Sequence, residues 1–225
     1  MTQANQLNTP HTDTRIILIR HGETAWNAER RLQGHIDIAL NDEGLRQADA
    51  LAEALAGERF DHIYASDLQR ALQTAQAVAR RHGMPVTQDA HLRERCYGAF
   101  EGLLYSEIEA RYPADFAAWQ ARDVEAVMPP GIRVAEGFRQ FYQRSLDALA
   151  TLAARHPGQS IAVVAHGGVL ECAYRAARRI ELGTPRDFKV KNASINRFVW
   201  RDGRLELSSW GEVGHLQPRA LDELA

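Results

Sequence analysis

Cysteine is scarce: the 225-residue chain holds only Cys96 and Cys172. Two thiols cannot staple a chain of this length, and neither belongs to a Cys-x-x-Cys pair. A disulfide framework is therefore excluded, and a reducing, cytoplasmic setting is expected. Long apolar runs are missing as well. No stretch approaches the roughly 18 apolar residues needed to span a bilayer, so no membrane partner is expected. Neither charge is in excess, since 27 Lys+Arg oppose 29 Asp+Glu for a formal charge of -2. A nucleic-acid partner would call for a strongly basic chain, so none is expected and any positive potential must be local. The nine histidines are dispersed and form no His-Glu-x-x-His, which argues against a metal site. Walker and Gly-x-Gly-x-x-Gly loops are absent, so nucleotide binding through them has no support. The polar stretch Met1 to Thr14 lacks the basic start and apolar middle of a secretory signal. It is expected to be a disordered tail before a single domain over 15–225.

What the chain has is an ordinary globular balance, 45% hydrophobic and 25% charged residues, which requires a buried core. Ile16-Ile17-Leu18-Ile19 is a continuous β-branched run of the kind covered by helices on both faces. Asn41 can cap a helix with the apolar stripe Leu45, Ala48, Leu51, Ala52 and Leu55, closed by Gly57. A strand over His62 to Ala65 precedes a helix carrying Leu68, Ala71, Leu72, Ala75, Val78 and Ala79, which stops at Gly83. After a less regular middle, a helix bearing Val134, Phe138, Phe141, Leu146, Leu149 and Leu152 leads into the strand Ile161 to Ala165. A further helix carries Val169, Leu170, Ala173, Tyr174 and Ala177. A hairpin over Ile195 to Trp200 and Leu205 to Trp210 turns at Asp202-Gly203. This alternation predicts a doubly wound, three-layer α/β sandwich with a mostly parallel central sheet, whose ligands bind beyond the carboxyl ends of the strands.

Three strand ends carry chemistry. Arg20-His21-Gly22-Glu23-Thr24 follows the first strand, Ser66-Asp67-Leu68-Gln69-Arg70 the second, and His166-Gly167-Gly168 the late one. Glycine permits close approach of backbone to a ligand, and a helix starting after Gly168 would aim free N–H groups at an anion. Two arginines and two histidines with few matching carboxylates make a cationic pocket suited to a phosphate dianion. A neutral His21 imidazole can attack phosphorus, while Arg20, Arg70 and a protonated His166 meet the charge of the equatorial oxygens without magnesium. Glu94 is the candidate proton donor, later activating water. The bland reading of Glu94 is a surface carboxylate paired with Arg93 or Arg95. Ser160 precedes its strand, whereas a nucleophile elbow follows one, so it is taken as turn chemistry.

These residues resemble the histidine phosphatase superfamily, the phosphoglycerate mutase-like proteins, from about Ile16 to Trp210. The resemblance runs through Leu18-Ile19-Arg20-His21-Gly22-Glu23-Thr24, Trp26-Asn27, Arg31-Leu32-Gln33-Gly34, Ser66 to Arg70, Leu92-Arg93-Glu94, Tyr97-Gly98, Glu101-Gly102 and Ala165 to Gly168. It implies that His21 becomes a phosphohistidine, that Arg20, Arg70 and His166 clamp the phosphate, and that Glu94 donates the proton. Asn27, Gln33, Gly34 and Gly167 would add phosphate or substrate contacts. The expected activity is metal-independent, cofactor-free hydrolysis of a small phosphorylated substrate.

Family mutases carry a longer, basic insert between the Glu and the second His. The stretch from Glu94 to His166 lacks it, and Gln33 and Ala99 to Gly102 look more like the phosphatase branch. Against that, Glu94 to Gly98 is similar to the mutase version. Phosphatase is favoured; phosphoglycerate mutase is the alternative, and a non-catalytic phospholigand-binding module is the third reading. Substrate choice is expected in the segment Leu103 to Phe138, where Tyr112, Phe116 and Trp119 recur at helical spacing, either as a lid or as a helix packed on the core.

Overall fold

The apolar run near the start forms the centre of a sheet. In the computed structural model, which describes residues 13–216, β1 (Thr14–Arg20), β2 (His62–Ala65), β3 (Thr87–Gln88), β4 (Ser160–Ala165), β5 (Ile195–Arg201) and β6 (Arg204–Glu212) lie in the order β3-β2-β4-β1-β5-β6. The β1–β4, β2–β4 and β2–β3 pairs are parallel, and β5 and β6 add antiparallel strands at one side. Register aligns the carboxyl ends: Arg20 lies opposite Ala165, and Ala65 opposite Val164. The three chemistry-bearing segments thus leave the same edge of neighbouring strands, as the strand–helix alternation predicts.

Seven α-helices are present among the described residues: α1 (Ala25–Glu29), α2 (Asp42–Ala54), α3 (Gln69–His82), α4 (Tyr105–Arg111), α5 (Pro113–Gln120), α6 (Phe138–Arg155) and α7 (Gly167–Arg178). Successive side chains of a strand point to opposite faces. Ile16 and Leu18 accordingly join Ile161 and Val163 in a core under α6 and α7, while Ile17 and Ile19 join Ala162 and Val164 against α2 and α3. That is the three-layer sandwich. A third cluster, separate from these, gathers Leu32, Tyr97, Phe100, Ile108, Met128 and Ala135 with Tyr105 of α4, Phe116 and Trp119 of α5 and Tyr112 at the junction between them. The aromatic stripe is therefore packed, but on a core of its own. No helix among the described residues is long and apolar enough to cross a membrane.

Several boundaries differ from the sequence pattern. Residues 1–12 of the expected tail lie outside the described residues, whereas Thr14 begins β1 and is buried, its Oγ1 donating to the carbonyls of Ala153 and His156. Asn41 caps α2 through its side chain (2.8 Å to Gly44 N), but the helix closes at Leu55, before Gly57. Leu45 is 47% exposed and leaves the buried stripe. Val134 is 81% exposed and precedes α6. Its segment follows Pro129-Pro130-Gly131 and is tied instead by Ala99 N to Pro129 O (2.8 Å) and Glu136 N to Cys96 O (2.9 Å). The hairpin turns where expected, with Asp202 and Gly203 both at positive φ, 47° and 75°, as a two-residue turn of the I′ kind requires.

Gly22 does something the sequence pattern did not anticipate. It faces protein: a Cβ there would meet the Gly44 carbonyl oxygen at 2.6 Å, and a Cβ on Gly44 would lie 2.0 Å from the Glu23 carbonyl oxygen. The paired glycines let the first turn of α2 press against the backbone that carries His21. Gly44→Ala is expected to destabilise the fold by about 1–3 kcal/mol, the usual cost of overpacking, despite alanine's better helix propensity. Gly57→Ala, with nothing within 4 Å, should stay within about 0.5 kcal/mol. Urea unfolding midpoints compare the two, and equal midpoints would refute the close-approach argument.

Candidate active site

His21 sits one residue beyond β1, still tied to the sheet edge by His21 N to Ala165 O (3.0 Å) and Ala193 N to His21 O (3.1 Å). Its Nδ1 lies 2.6 Å from the Gly22 carbonyl oxygen. A carbonyl can only accept, so Nδ1 carries the proton and Nε2 keeps its lone pair. His166, the residue before α7, is fully buried, with its ring centroid 5.2 Å from that of His21. Neither of its ring nitrogens has a hydrogen-bond partner among the described residues.

Arg20 and Arg70 are almost completely buried beside the two rings. Arg70, in the first turn of α3, donates to the carbonyls of Gly34 (2.7 Å) and Ile36 (3.0 Å); Arg20 donates to the carbonyl of Val190. The carboxylates nearest in sequence have other partners: Asp67 takes Arg93 (2.7 Å), and Glu23 accepts from Asn41 (2.9 Å). Burial, and then the charges of Arg70 and Arg20, hold the His21 ring well below the ordinary histidine range. Burial, then Arg70 and His21, lower His166 likewise. A protonated His166, as the sequence pattern suggested, does not fit this surrounding by itself: desolvation and neighbouring cations favour the neutral ring.

A narrow cavity of about 30 Å³ opens onto these groups. Of the expected site residues, Arg20, His21, Gln33, Gly34, Arg70, Glu94 and Gly167 line it. His166 does not line it; its ring packs beside that of His21. Asn27 does not line the cavity; it is a capping residue, its Oδ1 accepting from Thr24 N (2.8 Å) and from Asn192 Nδ2 (3.3 Å). Asn192 also donates to the His21 carbonyl (3.2 Å), so Asn27 supports the loop from below.

Glu94 is no surface carboxylate paired with its neighbours. Arg93 pairs with Asp67, and the Arg95 guanidinium turns to the Glu136 carbonyl (2.8 Å) and Met128 Sδ (3.4 Å). Glu94 Oε1 accepts from Arg95 N (2.8 Å), and Oε2 from Gly168 N (3.0 Å) in the first turn of α7. The N–H expected to face an anionic ligand therefore holds this side chain, and a Cβ on Gly168 would fall 2.2 Å from Glu94 Oε1. A second cavity of about 420 Å³ shares Tyr97 and Tyr105 with the first. Trp119, Arg122 and Phe138 from the expected specificity segment line it, together with Arg95 and, from the stretch before β5, Lys189.

Sequence reasoning missed Asn192, Thr74 and Arg30. Thr74 Oγ1 accepts from Gly22 N (3.0 Å), and Arg30 lines the narrow cavity next to Arg31. The run Arg30-Arg31 just before Gln33-Gly34 was a visible signal; Asn192 and Thr74 act through hydrogen bonds to groups distant in sequence, the His21 carbonyl and Gly22 N, which leave no pattern.

The chain is similar to known proteins in sequence and in fold. The family model for the histidine phosphatase superfamily (branch 1) matches residues 16–213. "Phosphoglycerate mutase-like protein 4" of Arabidopsis thaliana is 39% identical over 90% of this chain and 86% of its own length. The "Metal-independent phosphoserine phosphatase" of the same plant is 40% identical over 90% of this chain and 83% of its own. Among solved structures, a phosphoserine phosphatase from Entamoeba histolytica in complex with 3-phosphoglyceric acid superposes with a TM-score of 0.80. It has 28% identity, over 91% of this chain and all of that one. With its Arg-His-Gly strand end, second histidine and family match over nearly all the described residues, the chain belongs to the histidine phosphatase superfamily.

Proposed function

We propose that the protein is a metal-independent phosphatase that hydrolyses small phosphomonoesters through a phosphohistidine on His21. The observation that carries this reading is the state of His21: Nδ1 is fixed on the Gly22 carbonyl, Nε2 is left with its lone pair, and burial between two guanidiniums favours the neutral ring. A nucleophile is thus ready at neutral pH without a separate base.

In the first step Nε2 bonds to phosphorus while the phosphorus–oxygen bond to the leaving group breaks, and a proton from Glu94 goes to that oxygen. Arg20 and Arg70 meet the equatorial oxygens. The dianion reverses the balance at His166, since negative charge beside the ring favours its protonated, donating form. In the second step water attacks phosphorus, Glu94 takes the water proton, the phosphorus–nitrogen bond breaks and orthophosphate leaves. Gln33, Gly34 and Gly167 line the phosphoryl cavity; Asn27 contributes by holding the loop.

The 420 Å³ cavity, which shares Tyr97 and Tyr105 with the narrow one, is the place for the leaving group. Its wall mixes Arg95, Arg122, Arg186 and Lys189 with Asp123, Glu171 and Asp187, and Arg122 pairs with Glu171, so it suits a small polar leaving group; relatives are named for phosphoserine and crystallised with 3-phosphoglyceric acid. The second reading, phosphoglycerate mutase, draws on the relative named phosphoglycerate mutase-like. Buried, free Cys96 and Cys172 fit a cytoplasmic setting.

Phosphate release from a panel of phosphorylated amino acids, glycerates and sugars, run beside a 3-phosphoglycerate isomerisation assay primed with 2,3-bisphosphoglycerate, separates the two readings. Release should dominate and persist in EDTA, and His21→Ala should abolish it; faster isomerisation would select the mutase. The His21 ring itself can be followed by nitrogen NMR. Its base form should persist at pH 6.5, where an exposed imidazole is about half protonated, and give way only at lower pH. Arg70→Gln removes a charge that disfavours the imidazolium and should move the titration upward. No movement, or a downward one, would count against the electrostatic account.

A further inference from the structure

Glu94 is carried by an irregular stretch between the short 3-10 turns Ala90–Leu92 and Gly98–Phe100, so neither helix nor sheet fixes its backbone. A guanidinium from α6 does. All five N–H donors of Arg144 are engaged. Nε (2.8 Å) and Nη2 (2.7 Å) hold the two carboxylate oxygens of Glu136, Nη1 donates to the carbonyls of His91 (2.7 Å) and Arg93 (3.0 Å), and the second Nη2 hydrogen goes to the Glu94 carbonyl (3.1 Å). From another side His35 Nε2 lies 2.7 Å from the same carbonyl. Glu136 is itself pinned, its N–H donating to Cys96 O (2.9 Å) and its carbonyl accepting from Arg95 Nε (2.8 Å).

The geometry points to Arg144 as a positioning residue: by gathering the carbonyls of His91, Arg93 and Glu94 on one planar group, it sets the place from which the Glu94 carboxylate reaches the leaving oxygen. This rests on the reading of Glu94 as proton donor. Arg144 lines neither the narrow cavity nor the larger one, so it acts through Glu94. Lysine keeps the charge but has a compact ammonium with three donors, and cannot bridge a carboxylate and three carbonyls at once.

The test uses kcat/KM, which covers the steps up to departure of the leaving group, for two esters. Glycerol 2-phosphate needs its alkoxide protonated; p-nitrophenyl phosphate needs little help. Arg144→Lys should lower kcat/KM on glycerol 2-phosphate by about tenfold to a hundredfold, the range associated with a misplaced catalytic group. The aryl ester should fall by no more than about threefold, as departure of its good leaving group depends little on general acid catalysis. Inhibition by orthophosphate, which reports the clamp, should not move. Glu136→Gln, which keeps the guanidinium but weakens its anchor, should show the same selectivity on a smaller scale and remains informative if Arg144→Lys does not fold. Glu94→Gln is the benchmark. Selective loss in Glu94→Gln, with both esters slowed alike or neither slowed in the other two variants, overturns the role of Arg144. Equal slowing of both esters by Glu94→Gln overturns the Glu94 assignment itself, and the proposal with it.

Discussion

Two guanidiniums buried against two imidazoles impose the condition that the rest of the site answers. A cation removed from water is costly unless something negative meets it. Here backbone carbonyls of Gly34, Ile36 and Val190 supply part of the compensation, and nearby histidines stay neutral. A phosphoryl dianion completes the balance, so the protein is electrostatically complementary to the group it takes up. The neutral state of His21 follows from the same crowding, and what looks like a penalty on the ring is what leaves its nitrogen nucleophilic.

The fold delivers this crowding through register. Because β4 lies between β1 and β2, three sequence-distant segments end at one edge. Glycines then bring the pieces closer together, though toward protein: Gly22 admits the backbone of Gly44, Gly44 that of Glu23, and Gly168 makes room for Glu94. The helix N-terminus after the second histidine holds the acid–base candidate by its N–H, so the loop with Glu94 and the end of β4 are joined by one hydrogen bond.

Much of this was legible in the chain. Alternating strands and helices, the Asn41 cap and the Asp202-Gly203 turn depend on local rules, and each appears where the pattern places it. Arg20, His21, Arg70 and Glu94 were legible because strand ends and motif residues are marked in sequence. The capping role of Asn27 was not legible, because a capping box and a substrate contact use the same side-chain type. Leu45 and Val134 were misplaced because periodicity carries no knowledge of which neighbours exist to cover a face, and α6 begins only at Phe138. Arg144 and Asn192 left no trace, since they act on backbone carbonyls brought near only by the tertiary fold.

The aromatic cluster beneath α4 and α5 is separate from the two cores that clasp the sheet. Of its residues Trp119 faces only the larger cavity, Tyr97 and Tyr105 face both cavities, and the phosphoryl clamp stands on strand ends rooted in the other cores. Substitutions that spare the two tyrosines can therefore accumulate in one wall while the machinery opposite stays intact. A lineage can thereby acquire new preferences among organic phosphates without having to reinvent the reaction.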